Sequence, residues 1–219
     1  MGFGVLIVGG TGQVGSAVVR ALLAVSSCTE VVMVNRRTVP LAADARLRQV
    51  VMDTGAANFA DEVTALAKSM GAPLYAASCI GIGAGSARWS DEDIRKLEVG
   101  VVGAFARGCL AAGVERFGLL SAAGSGAKSW IRYARIMGEK EDAVRSVGFK
   151  RLALYRPGII AGNKHTPGYL ASLARLIPGP FGTIDQDDIG RAFASEFLHG
   201  QDGTTILENA EMKRRSRAL

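Results

Sequence analysis

Histidine, cysteine and proline are scarce in this chain of 219 residues: there are two, three and six of them. His165 and His199 have no cysteine beside them, so a tetrahedral zinc site has no ligand set and no metal is expected. Cys28, Cys79 and Cys109 are odd in number and widely spaced, which argues against a disulfide framework and fits a reducing compartment. Twenty-eight glycines without a triplet period or matching proline exclude a collagen-like chain. No run approaches the ~18 apolar residues of a membrane-spanning helix. The start, Met1-Gly2-Phe3-Gly4, carries no charged side chain and leads into a ~6-residue apolar run, unlike a secretory signal. Leu6 stands where a myristoylation motif needs Ser or Thr. Together these absences lead to the expectation of a cytoplasmic protein with no membrane partner.

Charge of one sign is also thin on the body of the chain. The net charge is +6, but the last eleven residues hold Lys213, Arg214, Arg215 and Arg217 against Glu211 alone, so half of it sits in the tail. The remainder lacks the basic stripe expected of a nucleic-acid binder, and no nucleic-acid partner is expected. The tail reads as a solvated basic end, with targeting or an anionic surface as the alternative.

What is present is a regular alternation. Residues 3–8, 31–34, 50–52, 74–79, 117–120 and 152–155 read as short apolar strands. Residues 13–24, 58–70, 91–112 and 130–146 between them read as helices, the third starting behind a Ser90 cap. Nearly continuous apolar strands alternating with helices predict an α/β fold with a doubly wound parallel sheet, buried on both faces. The chain reads as a single domain over 1–219. Residues 1–160 are its dinucleotide-binding core, 161–208 a small cap and 209–219 the basic tail. Residues 163–168, with Lys164 and His165, read as a mobile lid. Residues 184–192 start a helix with acids in its first turn, which is read as structural.

The first strand runs into Gly9-Gly10-Thr11-Gly12-Gln13-Val14-Gly15 and then a helix. In that setting Gly10 can make the tight turn, Gly12 can let the backbone approach a pyrophosphate, and Gly15 can let helix pack on strand. The amides at Gly9, Thr11, Gly12, Gln13 and Val14 then lie at the positive end of a helix, suited to phosphate. The second strand ends in Val34-Asn35-Arg36-Arg37, with no acid to hold a ribose 2′-hydroxyl. Arg36 and Arg37 suit a 2′-phosphate instead, which favours NADP(H); a solvated arginine pair is the alternative. Asp53 at the end of the third strand can accept from an adenine amino group or simply cap a turn. Cys79, Ile80 and Gly81 are small or neutral enough to let the backbone pass along the cofactor.

These residues, with Leu119-Leu120-Ser121-Ala122-Ala123-Gly124, Tyr133 and Tyr155-Arg156-Pro157-Gly158, make the chain resemble the short-chain dehydrogenase/reductase superfamily. The GGTGxxG loop and short length are similar to its atypical subgroup. The stretch from Cys79 to Asn209 looks like the Tat-interacting-protein (CC3) oxidoreductases. The resemblance implies a Ser–Tyr–Lys set acting beside a nicotinamide cofactor. Tyr133 would be the acid/base at a small carbonyl or alcohol, and Ser121 its polarising partner with Ser125 in reserve. Pro157 and Gly158 would lie beside the nicotinamide. The lysine should stand at 137, but Met137 is there. Methionine cannot lower a phenol pKa by charge. Lys140 lies on the same helical face about one turn further on. Glu139, Lys140 and Glu141 otherwise read as a solvated charged face. Ser121 and Tyr133 also have ordinary readings, as a strand-end serine and a packing tyrosine. An NADP(H)-dependent oxidoreductase and a silent NADP(H)-sensing protein therefore both stay open, as do a protein partner and a homodimer.

Overall fold

The computed structural model describes residues 2–40, 42–71, 73–161 and 179–219. The lid expected at 163–168 lies outside the described residues.

Seven parallel strands form one sheet in the order β3-β2-β1-β4-β5-β6-β9. They are β1 (Phe3–Val8), β2 (Cys28–Asn35), β3 (Leu47–Val51), β4 (Leu74–Ser78), β5 (Arg116–Leu120), β6 (Arg151–Arg156) and β9 (Gly203–Glu208). Every residue of β1 is buried, as a central strand covered on both faces requires. Val5 and Ile7 join one core and Leu6 and Val8 the other, because successive side chains point to opposite faces. The first core holds α1 (Gln13–Leu23) and α6 (Gln186–His199). The second holds α2 (Phe59–Lys68) and α4 (Val102–Ala111).

The strand order reverses between β1 and β4, the switch point at whose strand carboxyl ends open α/β sheets hold their ligand crevice. α3 (Asp91–Arg95), behind its Ser90 cap, leads through a π-helical turn at Lys96–Val101 into α4, so the expected 91–112 helix is real but widened in the middle. α5 (Arg132–Arg145) lies beside it.

Beyond β6 the structure differs from the sequence expectation. Residues 203–208, read as part of a cap, pair with β6 as the seventh strand. Only β7 (Ile159–Ala161) and β8 (Thr183–Asp185) form a separate two-stranded piece among the described residues. The basic tail is α7 (Asn209–Ser216), and it is anchored rather than loose. Arg215 donates to Glu196, which is almost completely buried and also pairs with Arg151. Lys213 donates to the Thr183 carbonyl at 2.9 Å. An isolated charge in an apolar interior would be costly; Glu196, shared by two guanidiniums, is not isolated.

Candidate functional site

At the carboxyl end of β1 the turn glycine is Gly9, not Gly10. Gly9 has φ +78°, and a Cβ there would fall 2.6 Å from the Cys79 carbonyl carbon and the Ile80 nitrogen. A Cβ on Gly15 would fall 2.1 Å from the Gly9 oxygen, so helix and turn touch backbone to backbone there, as expected. Gly12 is different. It is exposed, and a Cβ would meet only the Gly9 oxygen at 3.4 Å, so its outer side is open. No side chain caps α1 and no acid lies in its first turn. Thr11 is exposed and Gln13 half-buried, while Val14 is buried and can offer only its backbone.

Arg36 and Arg37 are exposed at the end of β2, with no ion pair among the described residues. Asn35 is turned inward and donates to Gln49 at 3.0 Å. Asp53 is exposed, and one of its oxygens accepts the Gly55 amide at 2.9 Å, a turn contact that leaves the other oxygen outward. Cys79 is buried at the end of β4, and burial pushes its thiol up to about 12, so it is a neutral lining group and no nucleophile. Ile80 is half-buried and Gly81 exposed. Phosphate loop, β2 end, β3 end and β4 end therefore lie side by side at the carboxyl edge of the sheet. The residues fit a dinucleotide: an open glycine at an uncapped helix end, and two cations at the ribose position.

The chemical side is arranged otherwise. Tyr133 is half-buried in the first turn of α5 and packs, with Ile82 and Ala122, on a cluster of Ile94, Ile136 and Met137. Met137 is a core side chain, 1% exposed. Ser121 follows β5 and is buried; its Oγ donates to Glu141 Oε1 at 2.6 Å and lies 3.0 Å from Ser125 Oγ. Ser125 in turn donates to the Ala122 carbonyl at 2.6 Å. A hydroxyl has one proton, and that of Ser121 goes to a carboxylate. Glu141 is held by Arg156 through two bonds, at 2.8 and 2.6 Å.

The solvated face expected at 139–141 is corrected by the structure. Only Glu139, paired with Arg95, keeps appreciable contact with water. Lys140 and Glu141 are buried. Lys140 Nζ donates to Glu98 Oε2 and to the Ile80 carbonyl, both at 2.8 Å. Glu98 sits in the π-helical turn, fully buried, and its Oε1 accepts the Ile82 amide at 2.8 Å. The sequence did carry a signal for both. Lys140 shares a helical stripe with Met137 and Val144, and Glu98 is a lone acid in an otherwise apolar run around Leu97 and Val99.

The backbone at Pro157 and Gly158 makes contacts within the fold. The Pro157 carbonyl accepts the Ala123 amide at 2.9 Å. The Gly158 amide donates to Asn209 Oδ1 at 3.0 Å, and a Cβ on Gly158 would fall 2.5 Å from the Pro180 and Gly182 carbonyl oxygens. Gly158 is thus where the C-terminal segment is packed onto the sheet.

Residues 5–125 match the NAD dependent epimerase/dehydratase family, a stretch that takes in the phosphate loop and Ser121 but stops before Tyr133. Among curated relatives, mitochondrial protein fmp52-1 of Aspergillus terreus is 31% identical over 211 residues, covering 91% of this chain and 89% of the relative. Among solved structures, the Bordetella bronchiseptica enzyme WbmG in complex with NAD superposes with a TM-score of 0.71 at 14% identity, covering 95% of this chain and 73% of that one. The oxidoreductase ylbE of Lactococcus lactis gives 0.69 at 17% identity, covering 99% and 96%. The cytoplasmic expectation is overturned, because the curated relatives are named mitochondrial. The narrower likeness to Tat-interacting-protein oxidoreductases is not confirmed by these matches.

Proposed function

We propose that this chain, which belongs to the NAD dependent epimerase/dehydratase family, is an NADP(H)-binding oxidoreductase-type protein that acts slowly on a small carbonyl or alcohol. The observation that carries the reading is the open Gly12 at the uncapped start of α1, flanked by Arg36 and Arg37 without ion pairs among the described residues. When bound, the nicotinamide supplies or accepts a hydride.

The chain's own contribution divides in two. The first-turn amides of α1 hold the pyrophosphate, and the two arginines neutralise a 2′-phosphate, which an acid at that place would repel. Tyr133, half-buried in the first turn of α5, holds the proton for the substrate oxygen. Ser121 cannot polarise that oxygen while its proton serves Glu141. Met137 adds no positive charge near the phenol, and Lys140 spends its charge on Glu98.

The test is a panel of small aldehydes and ketones, with NADPH consumption followed by absorbance, on the natural chain and on Tyr133→Phe and Met137→Lys. Slow consumption that Tyr133→Phe abolishes and Met137→Lys raises by about tenfold or more is expected, since a nearby ammonium favours the reactive phenol chemistry. Turnover that survives Tyr133→Phe overturns the role of Tyr133. A second reading, a protein that senses NADP(H) without turnover, is favoured by the same buried Met137 and internally paired Lys140. It predicts activity in none of the three.

A further inference from the structure

We propose that Glu98 and Lys140 form a positioning couple that fixes the shape of the backbone at Ile80–Ile82, the segment along which the dinucleotide would run; the inference rests on the functional reading above. Neither residue touches the crevice. Their side chains are 0% and 1% exposed, and they meet across the space between the π-helical turn and α5. Such a pair is weak evidence for stability, because removing two charges from water offsets much of their attraction. What the geometry does show is where the spare hydrogen-bonding capacity goes. Lys140 takes the carbonyl of Ile80, and Glu98 takes the amide of Ile82. The two ends of a three-residue segment are held by the two halves of one ion pair, and Gly81 between them is left exposed.

The segment is held from its other side too. The positive-φ turn at Gly9 leaves no room for a side chain against Cys79 and Ile80. α5 itself is seated without slack, since a Cβ on Gly138 would fall 2.1 Å from the Ala127 nitrogen. Lys140 therefore joins the helix that carries Tyr133 to the strand end that abuts the phosphate loop. The lysine that the family resemblance implies at position 137 is here a buried methionine. The ammonium at 140 instead orders the backbone that faces it.

Two double variants separate positioning from bulk stability. Glu98→Leu/Lys140→Met removes both charges together, so it avoids an unpaired buried ion and should melt close to the natural chain. Glu98→Gln/Lys140→Met also removes both charges but keeps an acceptor for the Ile82 amide. Hydrogen exchange at Ile82 is measured without nucleotide, and NADPH affinity by fluorescence titration. In the natural chain the Ile82 amide is expected to be protected like its neighbours in β4. In Glu98→Leu/Lys140→Met it should exchange at least about tenfold faster, with β1 unchanged, and NADPH should bind about tenfold more weakly. Glu98→Gln/Lys140→Met should recover much of the protection. The proposal is overturned if Ile82 is unprotected in the natural chain, or if it stays equally protected in the Leu/Met variant. It is overturned also if the segment loosens while NADPH affinity holds. Should the natural chain bind neither NADPH nor NADH, the functional reading fails, while the exchange data still decide whether the pair holds the segment.

Discussion

The dinucleotide side of the crevice and its chemical side are built in opposite ways. Around α1 and the end of β2 the two arginines and the helix start face outward: Arg36 and Arg37 are exposed, Gly12 is open, and no side chain caps the helix. On α5 the buried Lys140 and Glu141 face inward. Lys140 is bound to Glu98, and Glu141 to Arg156 and Ser121. A donor already satisfied by a buried partner must lose that bond before it serves a ligand, and the loss costs about 1–3 kcal/mol or more for a charged group. One half is prepared to take an anion; the other is braced against itself.

The largest effect should come from breaking the open half. Gly15→Val puts a branched side chain into the 2.1 Å gap to the Gly9 oxygen, which backbone cannot yield. NADPH binding should vanish, and the chain should lose at least about 3 kcal/mol of stability by the mechanism of overpacking, read by titration and thermal melting. The Glu141 contacts of the braced half should respond in the reverse proportion. Glu141→Ala leaves Arg156 without its carboxylate and Ser121 without its acceptor. A loss of about 3 kcal/mol is expected, or roughly 6–12 °C in Tm, with NADPH affinity within about threefold of the natural chain. Equal losses of affinity in both variants would dissolve the contrast.

A smaller and more selective effect is expected at the ribose. Arg36→Ala with Arg37→Ala should weaken NADPH by about tenfold and leave NADH nearly unchanged, because exposed cations contribute modestly and only to the phosphate. The smallest lies far from the crevice. Glu211, hydrogen-bonded by Arg214 and Arg215, has its carboxyl lowered to about 2. A lowered folded-state value adds stability above the ordinary carboxylate range and loses it as pH falls towards 2. The melting temperature should therefore drop between about pH 4.5 and 2 by more in the natural chain than in Glu211→Gln. The crevice should be indifferent to that change.

The contrast also explains what could be read without the fold. The phosphate loop and the arginines at the end of β2 depend on residues near each other in sequence, so spacing was enough. Gly9 rather than Gly10 carries the positive φ because Cys79 and Ile80 crowd it, and that crowding comes from seventy residues away. The inward network depends on such distant neighbours throughout. Charge runs such as Glu139-Lys140-Glu141 look solvated until the partner helix is placed, and Glu98 is that partner for Lys140. The tail misled in the same way: Arg215 looked detachable, but Glu196 holds it to the fold. β9 was passed over because residues 203–208 alternate in exposure along the sheet edge and lack the continuous apolar run of the central strands.

The most direct test of the central claim is a titration of the purified chain with NADPH and with NADH, followed by the quenching of protein fluorescence. Saturable binding of NADPH at one site per chain, at least about tenfold tighter than NADH, is the predicted result. Failure to bind either dinucleotide, or a preference for NADH, would contradict it.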